Sequence, residues 1–351
     1  MTKVLLLQGT INHYRVPVFN GLARKVDLTV VYSEGSAPEN ATFKYHYIPT
    51  VKKHYKIHKK NIYRMAQNYD VVICMFDFSY LYFRLLDILP HKYKLIYWGI
   101  GVSAGYNERF DRDQSIVKKT MGHMRRADAM LFYSDYPVRK FEKMGLEREK
   151  LFVANNTVAV LPHKEKTKDT LLFIGSLYKQ KKIDVLLEEY WSAYQKNSGI
   201  PNLILIGEGA ERDSIQHWIF EHGLNDKIQL TGGIYNDEKL VPYFEKAIMC
   251  ISPDQAGLSV LKSMGYGVPY VTHKDAITGG EIFNIRNGVN GILMNDFYEL
   301  ETIILEACSD TNKFIQMGCN AEKYYYENRT IEMMVDGFMQ SINYVMGKKR
   351  K

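Results

Sequence analysis

Between Cys250 and Thr272 the chain reads C-I-S-P-D-Q-A-G-L-S-V-L-K-S-M-G-Y-G-V-P-Y-V-T. An apolar run stopping at Ser252-Pro253, a short loop with Asp254 and Gly257, and a stretch over 258–266 that ends at Gly267 and Pro269 spell strand, loop and helix. A helix opened by a glycine leaves backbone N–H groups without intrahelical partners, and together with the helix dipole these can hold a phosphate. Asp254 lies in the loop before that helix, and Lys262 one turn inside it on the face of Leu258. A second segment, L-F-I-G-S-L-Y-K-Q-K-K at 172–182, runs a strand into a glycine turn and delivers Lys179, Lys181 and Lys182 to the next helix start. Cations placed there would neutralise a departing diphosphate. Taken singly, each segment is also what an ordinary βα unit with solvated lysines looks like, because short motifs match by chance.

The elements that must position these residues follow from apolar patterning. Short β-branched runs at 4–7, 28–32, 71–75, 95–98 and 129–133 alternate with amphipathic patterns, a βαβ rhythm. A proline and a burst of charge at 161–169 interrupt it, so a domain boundary is expected there, at 163/164. The rhythm restarts with strands at 170–174, 203–206, 228–230, 249–252 and 269–272 and helices at 182–197, 211–222 and 237–246. The expected organisation is α/β: a first Rossmann-like domain over 1–163, a second over 164–335, and a C-terminal helix with a basic tail over 336–351 that packs back on the first domain. Doubly wound parallel sheets bind ligands at the carboxyl ends of their strands.

Composition narrows the class. With 351 residues, 46% hydrophobic and 24% charged, the chain is long enough for about two packed domains and is not a disordered or fibrous sequence. No apolar run reaches bilayer length, and Lys3 is followed by too short an apolar stretch for a secretory signal, so a cytoplasmic location is expected. Cys74, Cys250, Cys308 and Cys319 are scattered without a CxxC pair and read as buried thiols. The net charge of +7 divides into +11 over residues 1–160 and −4 over the rest, so the first half is expected to face something anionic. The basic and aromatic stretch V-K-K-H-Y-K-I-H-K-K-N-I-Y-R at 51–64 is its densest part. It fits an anionic membrane surface, with each basic residue worth about 1 kcal/mol. A solvated helix would carry the same charges, and no nucleic-acid module accompanies them.

Other motifs carry less. Gly207-x-Gly209 follows a strand and precedes a helix, but Arg212 stands where a dinucleotide fingerprint has its third glycine. Asp111-Arg-Asp113 has the spacing of a metal-binding aspartate pair, yet it lies beside Arg109 near a helix start, and a helix cap is the expected role; no metal is predicted. Glu281, after paired glycines, is either a ligand-facing acid or a glutamate favoured by a helix start.

The 172–182 and 250–272 segments, with G-E-G-A-E-R (207–212) and L-T-G-G-I-Y-N-D-E-K-L-V-P-Y-F-E-K-A (230–247) between them, resemble the second domain of glycosyltransferase family four, the group 1 retaining enzymes of GT-B fold. H-Y-R-V-P-V-F-N-G-L-A (13–23) and Y-W-G-I-G (97–101) are similar to that family's first helix and acceptor-side loop.

The resemblance implies two Rossmann-like domains facing a cleft. It also implies a retaining hexosyltransferase that moves a sugar from a UDP- or GDP-sugar to a glycan or lipid-linked acceptor, in bacterial surface polysaccharide biosynthesis such as lipopolysaccharide or capsule. Such an enzyme works at the inner face of the cell membrane, with no cofactor beyond its co-substrate. Carried over by position, Lys181 would contact the donor diphosphate and Asp254, as the first acid of the E-x7-E pair, the donor sugar. Ser176, Gly207, Glu208, Ile234, Gly257, Leu258, Ser259, Lys262 and Glu281 would line the donor site, and His13, Tyr14, Arg15 and Gly101 the acceptor site; a first-helix cap is the alternative role for His13 to Arg15. Three positions depart from the pattern: Lys262 replaces the second acid, Ser176 the arginine before the lysine, and Ile100 a histidine. These departures leave open a non-catalytic partner of the same fold, and a GT-B sugar-nucleotide epimerase is a further alternative.

Overall fold

The computed structural model describes residues 1–105, 109–164 and 166–347; the basic tail at 348–351 lies outside the described residues. The chain forms two units, one of residues 1–103, 111–159 and 330–351, the other of residues 104–110 and 160–329. The breaks at 159/160 and 329/330 fall a few residues before those expected from composition.

Among the described residues, nine strands and five helices of the first unit precede the break. The strands are β1 (Lys3–Leu7), β2 (Asp27–Tyr32), β3 (Lys44–Tyr47), β4 (Thr50–Lys52), β5 (Lys56–His58), β6 (Val71–Met75), β7 (Lys94–Gly99), β8 (Ala129–Phe132) and β9 (Leu151–Val153). The helices are α1 (Val16–Ala23), α2 (Ile62–Ala66), α3 (Leu81–Leu85), α4 (Gln114–Arg126) and α5 (Asp135–Lys143). Seven strands make a parallel sheet in the order β3-β2-β1-β6-β7-β8-β9. The central runs, such as Val4 to Leu7 and Val71 to Cys74, are wholly buried, as strands covered on both faces must be. Burying each of those Leu, Ile and Val side chains contributes about 1.5–3 kcal/mol.

The second unit repeats the scheme with β10 (Thr170–Ile174), α6 (Ile183–Lys196), β11 (Asn202–Ile206), α7 (Arg212–Glu221), β12 (Ile228–Gly232), α8 (Asp237–Lys246), β13 (Ala247–Ile251), β14 (Gln255–Ala256), α9 (Ser259–Gly265), β15 (Tyr270–His273), β16 (Ile277–Thr278), β17 (Gly291–Met294), α10 (Glu299–Ser309) and α11 (Thr311–Asn328). Its six-stranded parallel sheet runs β12-β11-β10-β13-β15-β17, and β14 pairs with β16 beside it. The chain then returns to the first unit as α12 (Ile331–Gly347), whose Met334, Val335, Phe338, Ile342 and Val345 join the core made by Val4, Phe19, Trp98 and Leu131. A Cβ at Gly337 would come within 2.4 Å of the Val153 carbonyl oxygen, so glycine there lets α12 lie directly on β9.

Two expectations need correction. Residues 50–58 form an antiparallel hairpin, β4 with β5, rather than a helix, because Val51 and Ile57 are β-branched and pair across it. Only Cys74 and Cys250 are buried; Cys308 is half-buried at the edge of the second unit's core, against Asn197 and Gly199, and Cys319 is exposed on α11. Among the described residues no helix is long and apolar enough to cross a membrane.

Candidate functional site

The site begins where β10, β11 and β12 end. Gly175 N donates to Ile206 O (3.0 Å), Leu177 N to Glu208 O (2.9 Å), Glu211 N to Leu177 O (3.0 Å) and Gly207 N to Gly232 O (3.0 Å), lacing the three strand-end loops together. The glycines are needed for this approach: a Cβ at Gly207 would lie 1.9 Å from Gly175 O, and one at Gly209 2.3 Å from Leu177 O. That accounts for Gly-x-Gly without a dinucleotide. From the laced loop the chain makes a single 3-10 turn, Lys179–Lys181, and Lys182 takes a left-handed conformation (φ 51°) to start α6.

This turn sorts the three lysines. Lys179 is exposed, and Lys182 lays its ammonium 4.1 Å from the centre of the Phe297 ring. Lys181 turns inward and is only 7% exposed, and its ammonium has no hydrogen-bond or carboxylate partner among the described residues. Burial pushes its pKa down from 10.5 to about 8. A buried cation without a counter-charge is costly, so an arriving anion gains from it. Ser176 beside it is exposed.

The second strand-loop-helix unit supplies the acid. Asp254 follows β13, and its backbone carbonyl accepts from Ile277 N (2.9 Å), within the small β14–β16 ladder. Its carboxylate is 6% exposed and is gripped by the Arg109 guanidinium through two nitrogens, at 2.8 and 3.2 Å. Gly257 opens onto free space, with nothing within 4 Å of where a Cβ would sit. At the start of α9, Ser259 Oγ shares a hydrogen bond with Tyr270 OH (2.8 Å), which also donates to Gln255 O (3.0 Å). Lys262, on α9, pairs with Asp237, the first residue of α8.

Of the other expected donor residues, Glu208 is exposed and accepts from Gly233 N (3.4 Å) and Arg212 (3.3 Å). Ile234 packs partly buried against the core under α8, and Leu258 is the residue that leads into α9. The Glu281 carboxylate is buried and accepts from Gly279 N (3.0 Å), so it is engaged in its own turn. Asp254, Gly257, Leu258, Ser259 and Lys262 thus share one strand-loop-helix unit, and Ser176, Lys181, Gly207 and Glu208 share the laced loops of the same sheet.

The first unit holds the acceptor candidates. His13 is exposed and packs edge-on against Tyr14, with ring centres 5.7 Å apart. Arg15 is 4% exposed and lies over Tyr133, Trp98 and Tyr14 at 4.8, 5.1 and 5.1 Å, so its charge is spent on aromatic faces. Gly101 has φ 82°, and a Cβ there would reach the Phe132 ring at 2.6 Å, so backbone and packing both demand glycine. Asp113 caps α4 by accepting from Ser115 N (2.8 Å), the helix-cap role expected for this pair, while Asp111 binds Tyr136 (2.7 Å) and Lys140.

Three residues escaped the sequence reading. Arg109 and Asp237 stand inside or beside segments singled out in the sequence, but no role is legible for them there, because their partners lie 145 and 25 positions away. In the first unit, Glu34 binds Lys56 (2.8 Å) and Tyr80 (3.2 Å) past the end of β2, a cluster signalled in sequence by nothing but a lone acid after a strand.

Residues 168–310 match the family model described as glycosyl transferases group 1. Among solved structures the chain is similar to HepE from Anabaena in complex with UDP and glucose (TM-score 0.74, 15% identity, covering 98% of this chain and 100% of that one). It is similar also to S. aureus TarM, in a complex that includes UDP (0.70, 11%, 98% and 100%), and to the lipopolysaccharide outer core galactosyltransferase WaaB (0.67, 15%, 97% and 99%). Among curated proteins none matches the chain in sequence. The fold is GT-B, with a Rossmann-like parallel sheet in each unit, and the second unit carries the region that matches the group 1 glycosyltransferase model.

Proposed function

We propose that the protein is a retaining glycosyltransferase of hexosyltransferase type, which transfers a sugar from a nucleotide diphosphate sugar to a hydroxyl acceptor. The observation that carries this reading is Lys181: a buried ammonium without a counter-charge, at the carboxyl end of β10, in the region that matches the group 1 glycosyltransferase model. Breaking the bond between the anomeric carbon and the diphosphate oxygen leaves negative charge on the diphosphate and positive charge on the ring. Lys181 meets the first, aided by the backbone at Gly257 to Ser259, and Asp254 orients the sugar hydroxyls beside the second. The acceptor hydroxyl attacks on the face the diphosphate left and gives its proton to the departing diphosphate oxygen as the new glycosidic bond forms. The UDP complexes of HepE and TarM support a UDP-sugar as donor, and none of these steps calls on a metal.

The acceptor is a glycan or a lipid-linked glycan of a bacterial surface polysaccharide, with His13 and Tyr14 among its contacts. The protein works in the cytoplasm against the inner face of the membrane. Residues 40–69 support that placement, with seven Lys or Arg and no Asp or Glu, and the β4–β5 hairpin exposes Lys52, Lys53, Lys59 and Lys60. To test the function, purified protein is incubated with a panel of UDP- and GDP-sugars, with and without a lipid-linked acceptor extract, beside Lys181→Ala. Release of nucleoside diphosphate that depends on acceptor and on Lys181 is expected. Tight donor binding without turnover on any acceptor would establish the non-catalytic reading instead.

A further inference from the structure

Asp254 is held by more than its own loop. The two Arg109 nitrogens meet its two carboxylate oxygens side by side at 2.8 and 3.2 Å, the fork geometry that fixes a carboxylate plane. Arg109 also donates to the carbonyl of Asp275, in the turn between β15 and β16. One guanidinium thereby joins the loop after β13 to the turn after β15, and the β14–β16 ladder joins the same two segments through their backbones. Residues 104–110 are part of the second unit, so the contact is internal to it.

The geometry also leaves Asp254 usable. A carboxylate offers about four lone-pair directions, and a fork of the two terminal guanidinium nitrogens takes one from each oxygen, which leaves two for sugar hydroxyls. The Arg109 side chain is 34% exposed and that of Asp254 6%, so the pair lies at the surface of the loop with the carboxylate side enclosed.

We propose that Arg109 is a positioning residue of the donor-sugar subsite, acting through Asp254: it locks the carboxylate plane so that the two remaining lone pairs meet hydroxyls of the transferred hexose. The inference rests on the transferase reading above, in which Asp254 faces the sugar. Because Arg109 acts on the sugar end and Lys181 on the diphosphate end, loss of Arg109 should separate the two. Without the fork, a buried carboxylate is free to rotate, and a misplacement on the ångström scale costs rate more than nucleotide affinity.

The test compares wild type, Arg109→Gln, Arg109→Lys, Asp254→Asn and the Arg109→Gln/Asp254→Asn double variant, with thermal melting as the folding control. UDP affinity by calorimetry is expected to stay within about twofold in all of them. Arg109→Gln should lower kcat for sugar release by about tenfold or more with a smaller change in KM, and Arg109→Lys should recover part of it. The double variant should be no slower than Asp254→Asn alone, since Arg109 then has nothing to hold. Wild-type kcat in Arg109→Gln, losses that add in full in the double variant, or a matching loss of UDP affinity would each overturn the proposal. Failure of the wild type to bind any nucleoside diphosphate would instead overturn the transferase reading, and this inference with it.

Discussion

Lys262 and Asp237 form an ion pair that ties the last turn of α9 to the first residue of α8, with the lysine side chain 14% and the aspartate 32% exposed. The position that resembles the second acid of a donor-binding pair is therefore cationic here, and a carboxylate reaches it from another element. If the pair serves the donor, Lys262→Ala should weaken donor binding by about tenfold, the scale of a partly buried charged hydrogen bond. Exchanging the two charges, Lys262→Asp with Asp237→Lys, should restore part of the loss. Donor affinity in Lys262→Ala equal to wild type rejects the role.

Lys181 sets a pH window. Its folded pKa near 8, against 10.5 for the free side chain, means that the unfolded chain holds the proton more tightly. Keeping it charged in the fold costs on the order of 3 kcal/mol below pH 8, and this penalty is relieved as pH rises toward 10.5. Lys181→Met should therefore raise the melting temperature at pH 7, by roughly 5 °C or more, and lose that advantage at high pH. Donor affinity of the wild type should fall on the alkaline side of about 8, where the free ammonium loses its proton. Melting curves and binding titrations from pH 6 to 10 check both signs.

Gly175 makes room for that ammonium: a Cβ there would stand 3.0 Å from Lys181 Nζ, and its φ of 154° disfavours any side chain. Gly175→Ala should displace Lys181 and reduce turnover by about tenfold or more, at a folding cost of about 1–2 kcal/mol. Gly207→Ala, which drives a methyl into the Gly175 carbonyl, should cost more in stability. Denaturant melts beside donor kinetics separate the two effects.

The exposed hairpin lysines predict a salt-dependent affinity for anionic vesicles. Lys56 is already paired with Glu34 at 2.8 Å, so it should matter less than Lys52, Lys53, Lys59 and Lys60. Reversing the charge of those four should abolish cosedimentation with phosphatidylglycerol vesicles at low salt and leave turnover on a soluble acceptor unchanged. Binding that survives the reversal rejects the hairpin as the contact.

Much of the framework could be read from residue types alone. Buried parallel strands are continuous apolar runs, and β1, β6, β10 and β13 stand out because each is covered on both faces. β3 was invisible: K-Y-H-Y has every residue exposed, and only its pairing with β2 makes it a strand. The hairpin is not legible locally, because its lysines and histidines fit either period until a partner strand fixes one. Lys181 was legible as one of three lysines at a turn, but which of them turns inward depends on the left-handed step at Lys182 and on Phe297, more than a hundred residues later. Arg109 and Asp237 lay beyond reach for a similar reason. A charge's partner is chosen by where loops travel, and no local pattern records that.

The return of the last helix has a consequence for synthesis. The core under β7 and β8 is closed by Met334, Phe338 and Ile342, residues that follow the whole of the second unit in the chain. Until α12 is made, residues 1–103 and 111–159 have an apolar face that it alone covers among the described residues, whereas the sheet of the second unit is complete once residue 294 has emerged. The part made first is thus finished last, and its apolar face stays open until α12 has been made. A nonsense codon shortly before residue 331 would leave the second unit intact and the first without the closing layer of its core.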